Sequence, residues 1–176
     1  MKTYFLQVAA LAAVVFLAAC SKSPDSETKT SAQVAASATP APAAPDPNLP
    51  EKKIEILAND QMKFDVTAIE AQPGQKITVT LKNVGTMPKM SMGHNFVLLA
   101  KDVDVMAFIE ASQTQMANEF IAPELKSKVI AHTKLLGPAE NETISFAAPR
   151  TPGAYHYICS FPGHYAIGMK GVLTVK

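Results

Sequence analysis

Cys159-Ser160-Phe161-Pro162-Gly163-His164-Tyr165-Ala166-Ile167-Gly168-Met169 places a thiol, an imidazole and a thioether on one short loop, in the order Cys-x4-His-x4-Met. These are soft and borderline donors. Sulfur ligands suit copper(I), imidazole nitrogen suits copper(II), and two imidazoles with a thiolate and a weak thioether serve either state. The loop lacks one imidazole, and Met92-Gly93-His94-Asn95-Phe96 upstream supplies the obvious candidate. Residue types alone therefore predict a mononuclear copper site made from His94, Cys159, His164 and Met169.

Working outward, the phase of the preceding segment positions the thiol. Side chains alternate along a strand, so Tyr155, Tyr157 and Cys159 share one face, and His156 and Ile158 share the other. With the tyrosines facing the core, Cys159 leaves the strand pointing inward at its end. His94 similarly precedes the apolar run Phe96-Val97-Leu98-Leu99. Two strands ending at one pole bring the segments together. Lys76-Ile77-Thr78-Val79-Thr80-Leu81-Lys82 alternates throughout, with Ile77, Val79 and Leu81 on the buried face. Further strands are predicted within 53–56, 62–66, 95–100, 129–134, 142–147, 154–159 and 171–175. Turn signals at Gln72-Pro73-Gly74, Gly85, Gly137-Pro138 and Thr151-Pro152-Gly153 separate them. Many short strands at this spacing predict an all-β sandwich over 51–176. One stretch departs: Met106, Ile109, Met116 and Phe120 recur at near-helical spacing behind an acidic start, predicting a short helix within 104–120.

The N-terminal part reads differently. Lys2 and the apolar run Phe5 to Ala19 have the form of a signal peptide over 1–19, too short for a comfortable bilayer span. The run ends Leu17-Ala18-Ala19-Cys20, similar to a bacterial lipobox, whose cysteine is acylated and becomes the mature N-terminus. Two or three acyl chains suffice for stable anchoring. Ser21 in place of Asp implies an outer-membrane lipoprotein of the cell envelope, facing the periplasm or the cell surface. From Cys20 to Pro50 the chain is rich in Ala, Pro, Ser and Thr, with Val34 and Leu49 its only large aliphatic side chains after Cys20. Such a segment buries too little apolar surface to offset its ordering entropy, so a disordered spacer is predicted. The chain carries two cysteines. They would form a disulfide unless Cys20 is acylated, in which case Cys159 is free to ligate metal. With 176 residues, a net charge of +1 and no basic run, nothing points to nucleic-acid binding.

The motif Cys-Ser-Phe-Pro-Gly-His followed by methionine, with Met-Gly-His-Asn upstream, resembles the azurins; so do Asn59-Asp60-Gln61-Met62 and Val129-Ile130-Ala131-His132-Thr133-Lys134-Leu135. The resemblance covers 51–176 and implies a cupredoxin: an eight-stranded Greek-key sandwich with a helical flap and one type 1 (blue) copper. The anchor and Ala/Pro-rich spacer are similar to those of lipid-modified azurins. The resemblance implies His94 and His164 as imidazole ligands, Cys159 as thiolate, Met169 as weak axial ligand and the Gly93 carbonyl as a distant second one. Asn95 would tie the two ligand loops together, and the Phe161 N–H would hydrogen-bond to the Cys159 sulfur. Azurins have one residue fewer between the second histidine and the methionine; His164-x4-Met169 has the spacing of auracyanins and plastocyanins, and a longer loop can tilt Met169 differently. Phe96 stands for a buried tryptophan, Asn83 for a frequent buried histidine, and the usual azurin disulfide is missing.

Taken singly, His94 reads as a structural histidine and Met169 as core; the set of four at this spacing is what specifies metal. His132 and His156 read as surface or structural residues. Met87, Pro88, Met92, Phe161 and Pro162 read either as core or as an apolar collar around His164, suited to small transient interfaces. The resulting expectation is a monomeric electron carrier, not an enzyme, taking electrons from a donor such as a cytochrome and passing them to a reductase or oxidase. The alternative is a copper-handling protein using Met87, Met90 and Met92. A copper enzyme needs a second copper and more histidines than the four present, two of them already used.

Overall fold

The structure, a computed structural model, describes residues 44–176. The expected signal peptide, Cys20 and most of the spacer lie outside the described residues. One sheet is built from β1 (Lys52–Asn59), β2 (Lys63–Phe64), β4 (Lys76–Asn83) and β7 (Asn141–Ala147), in the spatial order β2-β1-β4-β7. The other is built from β3 (Ala68–Ala71), β5 (Val97–Leu99), β6 (Val129–His132), β8 (Gly153–Ile158) and β9 (Lys170–Val175), in the order β3-β9-β8-β5-β6. β1 pairs parallel with β4, and β3 with β9; the remaining pairings are antiparallel. This is the β-sandwich that the sequence predicts. The strand count is nine rather than eight, because the unforeseen β3 pairs with β9, and the predicted 62–66 strand shrinks to the two residues of β2.

Alternation fixes the register. Ile77, Val79 and Leu81 of β4 are fully buried between the sheets, while Thr78 and Thr80 face outward and meet Ser145 and Thr143 of β7 through their hydroxyls. Burying each aliphatic side chain contributes about 1.5–3 kcal/mol. A one-residue slip would expose all three, a loss comparable to the whole net stability of a domain. Tyr155 and Tyr157 of β8, and Cys159 just past its end, join this core with Phe96, Leu98 and Met169. Phe96 stacks on Tyr157 at 5.1 Å, filling the place of the larger ring expected from the resemblance.

The other face of the second sheet carries its own small core. Val97, Leu99 and Ile158 meet Phe108 and Ile121 of the helical flap. The flap begins with α2 (Val105–Ser112), where the Asp104 carboxylate accepts from the N–H groups of Met106 and Ala107 at 2.9 and 3.1 Å, a side-chain N-cap. The predicted helix exists, but it is shorter than its 104–120 window, and of its predicted apolar series Ile109 packs on the flap core and Phe120 is buried beyond the helix, while the two methionines are not. Met106 and Met116 are 61% and 45% exposed, whereas Phe108 and Ser112 are buried. The Ser112 hydroxyl explains the difference by accepting from the Ala122 N–H at 3.0 Å, tying the helix to the strand approach that follows. Two further single-turn helices, α1 (Lys89–Met92) and α3 (His164–Ile167), lie next to the ligand candidates.

The predicted spacer ends earlier than Pro50. Asp46 N–H donates to the Gly74 carbonyl at 2.9 Å, and the Asp46 carboxylate accepts from the Asn48 N–H and side chain. An Asx turn of this kind satisfies backbone groups locally without a hydrophobic core, so composition gave no sign of it. Among the described residues no helix is long and apolar enough to cross a membrane.

Candidate metal centre

The loop 159–169 is closed at its base by a hydrogen bond from the Cys159 N–H to the Met169 carbonyl at 3.1 Å. The chain leaves β8, turns through Gly163 at φ +87°, forms α3, and stops at Gly168 with φ +101°. Gly168 N–H donates to the Tyr165 carbonyl at 2.9 Å and Met169 N–H to the His164 carbonyl at 3.0 Å. That pair is a Schellman cap, which needs a left-handed residue after the last helical one. The four residues between His164 and Met169 are therefore one helical turn and its glycine stop. The Lys63 ammonium donates to the Ile167 carbonyl, satisfying a C-terminal group of that turn.

His94 enters from the other side. It follows α1 and is pinned to Leu136 by two backbone hydrogen bonds, 3.1 and 2.7 Å. Gly93 is packed so closely that a Cβ would lie 2.7 Å from the Lys89 carbonyl oxygen and 2.8 Å from the Leu135 side chain. His94, Cys159 and His164 each place a donor atom within 4.8 Å of the other two, and all three are buried. Cys159 Sγ lies 3.4 Å from His164 Nδ1, and the imidazole centroids are 5.0 Å apart. Met169 is fully buried in the same core.

The chemistry of the set fits a soft cation. Both nitrogens of the His94 ring are buried without a hydrogen-bond partner, an arrangement that costs on the order of 1–3 kcal/mol per group unless something ligates it. Burial holds the His94 and His164 imidazoles down at about 4, with Asp60 and the Asn59 carbonyl working in the opposite direction at His94. The Asn59 carbonyl faces the ring without reaching hydrogen-bonding geometry. Both rings are thus neutral at pH 7 and keep a lone pair. Burial pushes the Cys159 thiol up to about 12, while the backbone amides of Asn95 and Phe161 favour its thiolate. A metal ion supplies the positive charge that tips the balance.

Asn95 links the two ligand segments. Its side chain accepts from the Ser160 N–H at 2.8 Å and donates to the Ser160 hydroxyl at 2.8 Å and the Glu119 carbonyl at 2.7 Å. Phe161 is not part of an exposed collar. Its ring is buried against His164 at 4.6 Å and Phe120 at 5.0 Å, because the loop turns it inward after Ser160. Pro88 and Pro162 are exposed, Met87 is 41% exposed and Met90 66%, and Met92 is half-buried. His132 and His156 are exposed and outside the cluster. Sequence reasoning passed over Ser160, Glu119, Asp60 and Lys63, all of which grip the ligand segments. Only Glu119 has a local peculiarity, a left-handed φ of +59°, and nothing in a single sequence announces that.

Residues 50–176 match the family of copper binding proteins of the plastocyanin/azurin type. This chain belongs to that family. It is a cupredoxin of the blue copper electron-transfer proteins, and copper is its cofactor. The azurin of Pseudomonas fluorescens biotype C is 37% identical over 129 residues, covering 72% of this chain and 99% of the relative. Among solved structures, the sodium-dithionite-reduced auracyanin of Roseiflexus castenholzii is 38% identical with a TM-score of 0.61, covering 71% of this cupredoxin and 97% of that chain. The azurin Az-iso2 of Methylomonas sp. strain J is 31% identical with a TM-score of 0.63, covering 71% and 98%. Likeness to both azurin and auracyanin agrees with the mixed signature of the sequence, an azurin body with the longer ligand loop.

Proposed function

We propose that this cupredoxin is a one-electron carrier of the bacterial envelope, with His94, Cys159 and His164 as the strong copper ligands, Met169 as the weak axial one and the Gly93 carbonyl as a more distant axial contact. The observation that carries the assignment is the buried cluster of three donors within 4.8 Å, one of them an imidazole, His94, with no hydrogen-bond partner at either ring nitrogen. Copper bound there supplies a couple that gains and loses a single electron. The protein's part is to keep its donors where both oxidation states accept them. Asn95 joins the two loops, Phe161 packs on the His164 ring, and the Schellman cap ties Met169 to His164, so little moves when the charge changes. On loading, the two neutral imidazoles give up no proton and Cys159 gives up one.

His164 is the ligand through which electrons pass. It keeps 2% of its surface exposed where His94 keeps none, and the exposed Pro162 and Gly163 lie beside it. Met87, Pro88, Met90 and Pro162 offer adaptable apolar surface for short encounters. The partners are redox proteins, a cytochrome as donor and a reductase or oxidase as acceptor, met by a monomer. Acylated Cys20 holds the domain to the outer membrane through the spacer. The exposed methionines Met87 and Met90 favour a second reading, copper delivery.

Rapid mixing of the copper-loaded protein with a reduced cytochrome, followed by a chelator challenge, separates the two. A carrier is reduced reversibly and keeps its copper against a weak chelator. A protein that yields its copper to that chelator and takes no electron from the cytochrome is a copper handler instead.

A further inference from the structure

Asp60 in the turn after β1 and Lys63 at the start of β2 carry opposite charges, and each grips a different ligand-bearing segment. On one side the Asp60 carboxylate accepts from the Thr86 N–H at 2.8 Å, the Thr86 hydroxyl at 3.0 Å and the Met87 N–H at 3.4 Å. These residues lead into α1 and His94. The approach is close enough to dictate its neighbour, since a Cβ on Gly85 would lie 2.1 Å from Asp60 Oδ1. On the other side the Lys63 ammonium donates to the Ile167 carbonyl and sits over Gly168, where a Cβ would come within 2.9 Å of Nζ. Ile167 and Gly168 are the two residues before Met169. Neither Asp60 nor Lys63 has an ion-pair partner among the described residues.

We infer that residues 59–63 form a brace that positions both halves of the copper site, Asp60 from the His94 side and Lys63 from the Met169 side. The two grips have the strength of charge-assisted hydrogen bonds to backbone groups, about twice that of neutral ones. They also act on the metal from a distance with opposite sign. A cation disfavours the more highly charged oxidised state, and an anion favours it. Lys63 therefore raises the reduction potential and Asp60 lowers it. The Ile167 carbonyl that Lys63 holds closes α3, the single helical turn that carries the chain from His164 to Met169.

The electronic half of this inference rests on the copper reading above; the mechanical half does not. The test uses Lys63→Gln, Lys63→Arg and Asp60→Asn. In the metal-free protein, amide exchange at Gly168 and Met169 should quicken several-fold in Lys63→Gln and return to the wild-type rate in Lys63→Arg. Exchange at Thr86 and Met87 should quicken in Asp60→Asn alone. In the copper-loaded protein the potential should fall in Lys63→Gln, rise in Asp60→Asn and stay put in Lys63→Arg, each shift shrinking at high salt. Unchanged exchange at both sites overturns the brace. Potential shifts of the same sign in Lys63→Gln and Asp60→Asn overturn the charge argument. A wild-type protein that takes up no copper refutes the copper reading, and the exchange measurement still decides the brace.

Discussion

Replacing Asn95 with Ala probes the link between the two ligand segments, and its cost follows from the hydrogen bonds removed. Asn95 and Ser160 are both fully buried. Truncation strands the Ser160 N–H and takes the shortest donor from the Glu119 carbonyl, although the Ser160 hydroxyl stays 3.4 Å from that oxygen. A buried group left unpaired costs about 1–3 kcal/mol, so the loss is about 2–4 kcal/mol when partial relief at Glu119 is allowed. Ser160→Ala keeps its backbone N–H paired and should cost only about 1 kcal/mol. Because the residues share bonds, the double variant should lose less than the sum, with a coupling of about 0.5–3 kcal/mol. Urea unfolding of the metal-free protein with linear extrapolation measures all three. A loss below about 1 kcal/mol for Asn95→Ala, or strict additivity in the double variant, would refute the claim that this side chain joins the loops.

Acid should weaken the metal-free protein in a defined window. Both imidazoles are held at about 4 when folded and titrate near 6.5 when unfolded, so the unfolded chain binds more protons between those values. Stability is then full above about pH 7 and falls as pH drops from 6.5 toward 4, by on the order of 3 kcal/mol for each imidazole; a flat urea midpoint between pH 7.5 and 4.5 would contradict the burial argument. Met169→Leu is close to volume-conserving, so it should cost under about 1.5 kcal/mol, retain the visible colour of the copper protein and shift its reduction potential. Cys20→Ala should move the protein from the membrane fraction to the soluble fraction, and continued membrane association would dispose of the acyl anchor.

The sandwich was legible because β4, in the middle of its sheet, alternates buried and part-exposed positions from end to end. Ile77, Val79 and Leu81 are all fully buried, and the phase of Tyr155 and Tyr157 correctly turned Cys159 inward. The flap was legible only in outline. Its helix is marked by the Asp104 cap, and Ile109 and Phe120 of the apolar series do turn inward, but Met106 and Met116 do not, because the buried face also takes in Phe108 and Ser112, whose hydroxyl accepts from the Ala122 N–H. β3 (Ala-Ile-Glu-Ala) has one β-branched residue and was missed; its pairing with β9, not its propensity, makes it a strand. The ligand types at the site could be read directly from spacing. The grips of Asp60, Lys63, Glu119 and Ser160 could not, because each joins residues remote in sequence through a single polar atom. Phe161 shows the same limit: the sequence leaves a ring beside Pro-Gly open between core and collar, and only the fold of the loop puts it onto Phe120 and His164.

The central claim is that sulfur from Cys159 and nitrogens from His94 and His164 enclose one copper ion. Copper(II) added to the metal-free domain should bind one ion per chain and give an intense visible thiolate-to-copper absorption that vanishes on reduction and is missing in Cys159→Ser. A wild-type protein that binds copper(II) without colour, or a Cys159→Ser protein that keeps the band, would show that the thiolate is not a ligand.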